Sequence, residues 1–223
     1  MKEKIILFTR VPKEGTTKTR LYDFMSPTEA VNIQKKLLKK NYDLLAETNR
    51  ELLVCHDGNS SDDKEMAELI SCDKFYYQKG DNLGDKMYNA LEEVISDSKV
   101  ILLGSDIFNL DKDIIEEAFE KLETHDIVIN PSEDGGYFLI GMKKAIKEVF
   151  DLPSYGDSSV LENLIKVLEK NNLTYYLGRA ALDIDIKEDL LYAETGYKNI
   201  KLLGAGEYNI NFTFDEGDLK KVL

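Results

Sequence analysis

The chain has 223 residues, of which 43% are hydrophobic and 32% charged, a composition that fits one globular domain with a substantial core. Its formal net charge at pH 7 is −13. This acidic balance argues against nucleic acid or an anionic membrane as a partner, because both need a basic footprint on the protein.

The hydrophobic pattern predicts strands and helices that alternate along the chain. Short apolar runs such as KIILFT (4–9) and KVILLGSD (99–106) are typical of strands buried on both faces of a parallel sheet. The first helix has a clear start, with Ser26 as N-cap, Pro27 at the first position and Glu29 closing a capping box. The other predicted elements are strand 51–57, helix 62–70, strand 74–79, helix 83–96, helix 111–122, strands 126–131 and 136–142, helix 158–172 and strand 174–178. This order makes βαβ units and predicts a single-domain, doubly wound, mostly parallel α/β sandwich.

The end of the chain has a different pattern. Tyr208, Ile210, Phe212 and Phe214 alternate with polar residues, which predicts a β-hairpin over about 199–214. We therefore predict a main domain over 1–197 and a C-terminal β extension over 198–223. An isolated hairpin is marginal in water, so we expect the extension to pack on the domain or on the second subunit of a homodimer.

A basic segment follows the first strand. Arg10, Lys13, Lys18 and Arg20 lie within eleven residues, and Gly15 shapes the turn between them. A P-loop needs glycines six residues and one residue before its lysine, but proline and threonine occupy those positions here. The segment nevertheless follows a buried strand, where an anion site is common, so we interpret it as a phosphate-binding loop of another kind. A solvated basic turn is the alternative.

Four carboxylates follow predicted strands and should meet at the same edge of the sheet, where ligands of such folds bind. They are Asp106 in GSD, Asp134 in SEDGGY, and Asp183 and Asp185 in LDIDIKED. Converging carboxylates repel each other unless a cation joins them, and Mg²⁺ or Mn²⁺ bridging phosphate oxygens fits this requirement. Taken alone, LDIDIKED is also compatible with Asp185 acting as the N-cap of a helix.

Several other protein classes are disfavoured. His56 and His125 lie away from the predicted edge, which argues against a Ser-His-Asp or Cys-His hydrolase. No G-x-G-x-x-G turn follows a strand, which argues against a nicotinamide enzyme. Cys55 and Cys72 lack metal-ligand spacing, and we interpret both as small buried hydrophobic residues of a reduced, cytoplasmic protein. No stretch has the pattern of a membrane span or a signal peptide.

Five motifs together resemble the rSAM/selenodomain-associated transferase family. That family belongs to the GT-A, nucleotide-diphospho-sugar transferase superfamily, with 2-phospholactate and molybdenum-cofactor guanylyltransferases as more distant relatives. The resemblance implies a nucleotide-activated donor and a small-molecule acceptor, and it extends from about residue 5 to about residue 190. The motifs are FTRVPKEGTTKTRL, QKGDNLGDKMYNAL, VILLGSDIFNL, INPSEDGGYFLIGM and LDIDIKEDL.

By this resemblance, each motif has an expected role. The first loop and Asp85 would hold the nucleotide, Asp106 would ligate the metal together with Asp183 and Asp185, and the four residues Asp134, Gly135, Gly136 and Tyr137 would line the acceptor side. The sequence departs from the family pattern in four motifs or sites. Phe108 replaces a proline, Tyr155-Gly156-Asp157 replaces Trp-Gly-Thr, Arg10 replaces a lysine and Glu14 replaces a second proline.

The motifs leave three functions open. In a glycosyltransferase, Lys18 and Arg20 would stabilise the leaving diphosphate, and Asp134 could take the proton of an acceptor hydroxyl. In a nucleotidyltransferase, a phosphorylated acceptor attacks the α-phosphorus, pyrophosphate leaves and no base is required. A non-catalytic nucleotide-binding module is the third hypothesis. The family's usual assignment favours sugar transfer, whereas a lone aspartate at the strand end resembles nucleotidyltransferases. We predict a glycosyltransferase that moves a sugar from a nucleotide-diphospho-sugar to a small acceptor, with nucleotidyl transfer as the alternative.

Overall fold

One sheet of seven strands organises the computed structural model, which describes residues 1–195, 199–200 and 210–211. Its strands are β1 (Lys2–Thr9), β2 (Glu51–His56), β3 (Phe75–Tyr77), β4 (Ser98–Gly104), β5 (Ile127–Pro131), β6 (Tyr137–Met142) and β7 (Tyr175–Leu177). The helices are α1 (Pro27–Ala46), α2 (Asp63–Ile70), α3 (Leu83–Val94), α4 (Lys112–Lys121), α5 (Val160–Lys170) and α6 (Lys187–Thr195), with short 3₁₀ helices at Thr19–Leu21 and Lys147–Phe150.

The strand order is β3-β2-β1-β4-β6-β5-β7. All neighbouring pairs in this sheet are parallel except those of β6, which runs antiparallel to both β4 and β5. The sheet is therefore mostly parallel, as predicted. The carboxyl ends of β1, β2, β3 and β4 lie along one edge, which is where the site residues following those strands come together.

Helices cover both faces of the sheet, because its strands are apolar on both sides. On one face, Ile5 and Leu7 of β1 pack in a cluster with buried residues of α1, α2 and α4. On the other face, Ile6 packs in a second cluster with buried residues of α3 and α5. Consecutive residues of β1 thus enter opposite clusters, which is the arrangement of a doubly wound sandwich.

The predicted capping of α1 is present in the structure, whereas the start of α6 differs from the N-cap that was considered for Asp185. The capping box of α1 is confirmed, since the Ser26 side chain accepts from the Glu29 N–H and the Glu29 carboxylate accepts from the Ser26 N–H. At α6, the carboxylate of Asp189 accepts from the N–H groups of Asp185 and Ile186, at 2.8 and 2.7 Å. The Asp185 carboxylate instead bonds to Arg20 and is available to the site.

At the C-terminal end, the described residues include β8 (Asn199–Ile200) and β9 (Ile210–Asn211), which pair antiparallel with Asn199 opposite Asn211. This pairing agrees with the predicted hairpin. The rest of the hairpin lies outside the described residues, so the domain boundary stays a prediction. Within the described parts of the chain, no helix is both long and apolar enough to cross a membrane.

Candidate functional site

A cleft of about 730 Å³ opens at the carboxyl edge of the sheet, and we call it the edge cleft. It is bounded by the ends of β1 and β4, by positions that follow β2 and β3, and by the basic segment that follows β1. Its volume is in the range of sites that hold a small ligand. The residues around it are 8–10, 16–20, 34, 57, 78, 81–83, 86, 105–106 and 185.

The basic segment is held in place by hydrogen bonds to its backbone. The Asp57 carboxylate, directly after β2, accepts from the Val11 N–H at 2.8 Å. The buried Thr17 hydroxyl accepts from the Lys13 N–H at 2.9 Å. Gly15 has a φ of +81°, a conformation that favours glycine, and its N–H donates to the Tyr22 hydroxyl at 2.8 Å. The loop geometry is therefore built before any ligand binds.

Lys18 is the centre of the edge cleft. Its side chain is only 3% exposed, and its Nζ lies 2.8 Å from Asp106 Oδ2 and 3.7 Å from Asp185 Oδ1. Burial by itself would lower the pKa of Lys18, but the charges of Asp106 and Asp185 outweigh it and hold that pKa above its usual value. Lys18 also has a left-handed backbone, with φ 50°, which is uncommon for a side-chain-bearing residue and recurs at functional sites.

A short backbone contact brings Asp106 and Asp183 together. The Phe108 N–H donates to the Leu182 carbonyl at 2.8 Å, and the Ile184 N–H donates to the Asp106 carbonyl at 3.2 Å. This explains the departure at Phe108, because a proline there has no N–H to donate. Burial, followed by the charges of Asp106 and Asp134, raises the pKa of Asp183 to about 7.

A second layer of polar side chains supports the end of β4. Asn41 of α1 is fully buried and donates to the carbonyls of Ser105 and Ile107, at 3.0 and 2.9 Å, on either side of Asp106. The Ser105 hydroxyl bonds to Thr9 Oγ1 at 2.7 Å and accepts from Gln34 Nε2 at 3.0 Å. These four residues were not predicted from the sequence. The one sequence feature that could have indicated them is the polar Thr9 and Ser105 at the ends of apolar strands.

The predicted nucleotide-binding residues divide into three groups. Arg10, Lys18 and Arg20 line the edge cleft, and Arg20 donates to Asp185 at 2.9 Å. Lys13 and Gly15 are absent from its lining, and Lys13 bonds to Asp62 at 2.5 Å. Asp85 lines a neighbouring pocket. The cleft also contains Gln78, Asp81 and Lys86, which the sequence analysis did not select. Their roles stay predictions.

The predicted acceptor residues form a tight turn between β5 and β6. Asp134 Oδ1 accepts from the Ser132 hydroxyl at 2.6 Å and from the Gly136 N–H at 3.0 Å. Gly135 has a φ of +91°, and a Cβ there would lie 2.4 Å from the Ser158 carbonyl oxygen. Among the described residues, neither of the two pockets at this edge is lined by the turn.

Tyr137 and Tyr155 pack beside the turn against the hydrophobic core. Tyr137 packs against the cluster that lies between the sheet and α3, and its burial raises the pKa of its hydroxyl well above 10.0. Tyr155 donates from its hydroxyl to the Phe150 carbonyl at 2.9 Å. Tyr155, which replaces the tryptophan of the Trp-Gly-Thr pattern, and Gly156, which matches its glycine, both line the neighbouring pocket. The carboxylate of Asp157, which replaces the threonine, accepts hydrogen bonds from Ser154 and Ser159.

The carboxylates at this edge fit a divalent cation in a limited way. Asp106 and Asp183 are hard oxygen donors, and the raised pKa of Asp183 marks a carboxylate whose charge is poorly compensated. Among the described residues, no three His, Cys, Asp or Glu side chains form a metal cage. Mg²⁺ commonly binds one or two carboxylates and completes its shell with phosphate oxygens and water, so the pair suits a metal that arrives with a nucleotide.

Neither histidine takes part in the cleft. His56 is fully buried, accepts from the Gly58 N–H and bonds to Asp63 at 3.1 Å. His125 bonds locally at the end of α4. Cys55 is buried as expected, and burial raises the pKa of its thiol to about 12, whereas Cys72 is only partly buried. None of these four side chains lines the edge cleft.

Comparison with known proteins connects the chain to nucleotide-using enzymes. The family profile described as "Uncharacterized protein conserved in bacteria (DUF2064)" matches residues 40–157. The 2-phospho-L-lactate guanylyltransferase of Methanocaldococcus jannaschii is 30% identical over 200 residues, which cover 85% of this chain and 81% of that protein.

Solved structures agree on the fold. A "putative nucleotide-diphospho-sugar transferase" from Desulfovibrio desulfuricans G20 superposes with a TM-score of 0.79 and 27% identity, covering 87% of each chain. A cytidylyltransferase from Leptospira borgpetersenii has a TM-score of 0.52 and 14% identity, covering 100% of this chain and 93% of that one, and shows the fold alone. The nucleotide-diphospho-sugar transferase-like fold is thus confirmed, while the association with the rSAM/selenodomain group is not addressed by these similarities.

Proposed function

This chain belongs to the DUF2064 family, and we propose from that premise that it is a nucleotidyltransferase. The relatives and the fold make it a transferase that acts on a nucleotide-activated donor. In our proposal the donor is a nucleoside triphosphate, with GTP as the first choice, and the acceptor is a phosphorylated small molecule. Because several relatives that match most of the chain are guanylyltransferases, sugar transfer is the less supported function.

The observation that carries this proposal is the ion pair between the buried Lys18 and the partly exposed Asp106 in the edge cleft. The pair places an ammonium group and a carboxylate 2.8 Å apart at the ends of two central strands, in a cleft of about 730 Å³ with Arg10 and Arg20 in its wall. Cations that are already in position stabilise charge that develops on phosphate oxygens, with little reorganisation during the reaction. Nucleotidyl transfer and sugar transfer both have this requirement, and the guanylyltransferase relatives favour nucleotidyl transfer.

The reaction needs no general base. An ionised phosphate oxygen of the acceptor attacks the α-phosphorus of the triphosphate. The bond from the α-phosphorus to its bridging oxygen breaks, the electron pair leaves with pyrophosphate, and a new phosphoanhydride joins nucleotide and acceptor. Asp134 Oδ1 already accepts two hydrogen bonds within its own turn, which is compatible with a site where no hydroxyl has to be deprotonated.

Each residue has a stated part in this proposal. Lys18 and Arg20 would bind phosphate oxygens of the donor, and the backbone of the basic segment would orient them. Asp106 and Asp183 would hold Mg²⁺ or Mn²⁺, with Asp185 as a further predicted ligand. When bound, the metal would supply positive charge to the phosphate oxygens that become more negative.

The test is a product assay with the intact protein. GTP, ATP and CTP are each incubated with Mg²⁺ and one phosphorylated acceptor, either 2-phospho-L-lactate or a larger phosphomonoester such as phenyl phosphate, and pyrophosphate is measured. GDP-mannose and UDP-glucose are incubated in parallel. We expect pyrophosphate only when a triphosphate and a phosphorylated acceptor are both present, and none with EDTA. Release of a nucleoside diphosphate from a nucleotide sugar, without pyrophosphate, would favour sugar transfer. Tight nucleotide binding with no product from any mixture would favour the non-catalytic module.

A further inference from the structure

A second pocket, of about 580 Å³, adjoins the edge cleft, and we call it the α3 pocket. It lies between the first half of α3 and residues 147–156. Arg10, Asn82 and Leu83 line both the α3 pocket and the edge cleft, so the two spaces share a wall. A ligand in the α3 pocket would therefore lie next to a nucleotide in the edge cleft.

Arg10 is a cation of this shared wall with capacity to bind a ligand. Its side chain donates one long hydrogen bond, 3.4 Å, to the Thr16 carbonyl, and within the described part of the chain it forms no ion pair. Burial would raise the pKa of Asp106, but Lys18 lowers it, and the charge of Arg10 makes a smaller contribution in the same direction. A guanidinium group binds phosphate through two parallel N–H donors, and Arg10 presents such a group between the two spaces.

The rest of the α3 pocket suits an organic body more than a second polyphosphate. Tyr88, Phe150, Leu152 and Tyr155 contribute aromatic and aliphatic surface to its wall. Lys147 is already near Asp85, at 3.7 Å, and lies over the Tyr88 ring, 5.8 Å from its centroid. The carboxylates of Asp85 and Asp151 also line the pocket and disfavour a second polyphosphate there. The lining thus combines aromatic surface with charged and polar groups, and the volume exceeds what a compact three-carbon acid needs.

We propose that the α3 pocket binds the organic body of the phosphorylated acceptor, while Arg10 binds the acceptor phosphate at the shared wall. The acceptor class is then a phosphomonoester larger than 2-phospho-L-lactate, whose organic body has an aromatic or alkyl part together with polar groups. This inference rests on the proposed nucleotidyl transfer for its role but is a binding site in its own right. It places the acceptor beside α3, away from the 134–137 turn that the sequence suggested.

Binding of two simple probes tests the site without turnover. Inorganic phosphate and phenyl phosphate are titrated into the intact protein by calorimetry. We expect phenyl phosphate to bind about tenfold more tightly than phosphate, because its ring is buried against aromatic side chains. Tyr88→Leu should remove most of that difference, and Arg10→Ala should weaken both probes. Tyr176→Leu is the matched control, since Tyr176 is also half-buried and also bonds to a glutamate, but on β7.

The outcomes separate this inference from the proposed function. Equal affinity for the two probes, or loss of GTP affinity in Tyr88→Leu with phenyl phosphate binding unchanged, would overturn the inference and assign the pocket to the nucleotide base. If the wild type releases pyrophosphate with 2-phospho-L-lactate but the probe titrations give one of these two results, the proposed function is kept and the acceptor pocket is rejected. If phenyl phosphate binds as expected but no acceptor ever yields pyrophosphate, the pocket stands and nucleotidyl transfer fails.

Discussion

Replacing Lys18 by methionine tests the centre of the edge cleft. Methionine keeps an unbranched side chain of similar length in a position that is 3% exposed, and removes only the ammonium group. A charge-assisted hydrogen bond contributes about 1.5–3 kcal/mol. We therefore expect the Kd for GTP to rise by about tenfold to a hundredfold. The difference should shrink in high salt, because ions screen the interaction between Lys18 and phosphate.

The same substitution should cost little stability. Removing one partner of a fully buried ion pair costs about 3–5 kcal/mol, because the other charge is left uncompensated. Here the Asp106 side chain is 35% exposed, and Asp185 keeps its bond to Arg20. Water can therefore solvate the remaining carboxylates, and we expect the free energy of unfolding to fall by about 1–2 kcal/mol. Urea unfolding shows whether the variant is folded when its GTP affinity is measured.

Lys99 offers a matched control at the opposite end of β4. Its side chain is 7% exposed and forms ion pairs with Glu3 and Glu123. Lys99→Met should lose stability to a similar extent and keep the wild-type Kd for GTP in calorimetric titration. If Lys18→Met also binds GTP with the wild-type Kd, Lys18 does not bind the phosphates and our account of the edge cleft is refuted.

Three further predictions concern stability. The pKa of Asp183 in the folded protein, about 7, exceeds its ordinary value of 3.8. The metal-free protein should therefore lose stability as the pH rises from 4 through 7, by at most about 4 kcal/mol. Asp183→Asn should flatten this dependence in denaturant titrations with EDTA, and parallel curves for the two proteins would contradict the prediction. Asn41→Leu leaves two buried carbonyls unpaired and should cost about 1–3 kcal/mol of unfolding free energy, whereas unchanged urea unfolding would show that water replaces the amide. Gly135→Ala should lower the Tm more than Gly156→Ala, since both have φ near +90° but only the first Cβ meets the Ser158 carbonyl; equal losses would mean that backbone strain alone matters.

Features that depend on neighbours along the chain were predictable from sequence. The alternation of apolar strands and amphipathic helices led to the doubly wound sheet, and the Ser-Pro-Thr-Glu start of α1 led to its capping box. The position of Asp106 at the end of an apolar strand placed it at the carboxyl edge. Each of these features depends on residues that are close together in the sequence, such as the capping residues at i and i+3 or the apolar run that ends before Asp106.

Only the tertiary structure decided which distant side chains meet. Asp183 lies beside Asp106 because the Phe108 N–H reaches the Leu182 carbonyl, and no local pattern records that pairing. The family resemblance assigns Asp85 to the nucleotide together with the first loop, yet Asp85 lines the α3 pocket with Lys147. The pairing of β6 with β4 as well as with β5 likewise depends on the strand order of the folded sheet. Contacts of this kind depend on strand order and on the packing of helices across the sheet, so their energies are set by residues far apart in sequence and become visible only when the chain is folded.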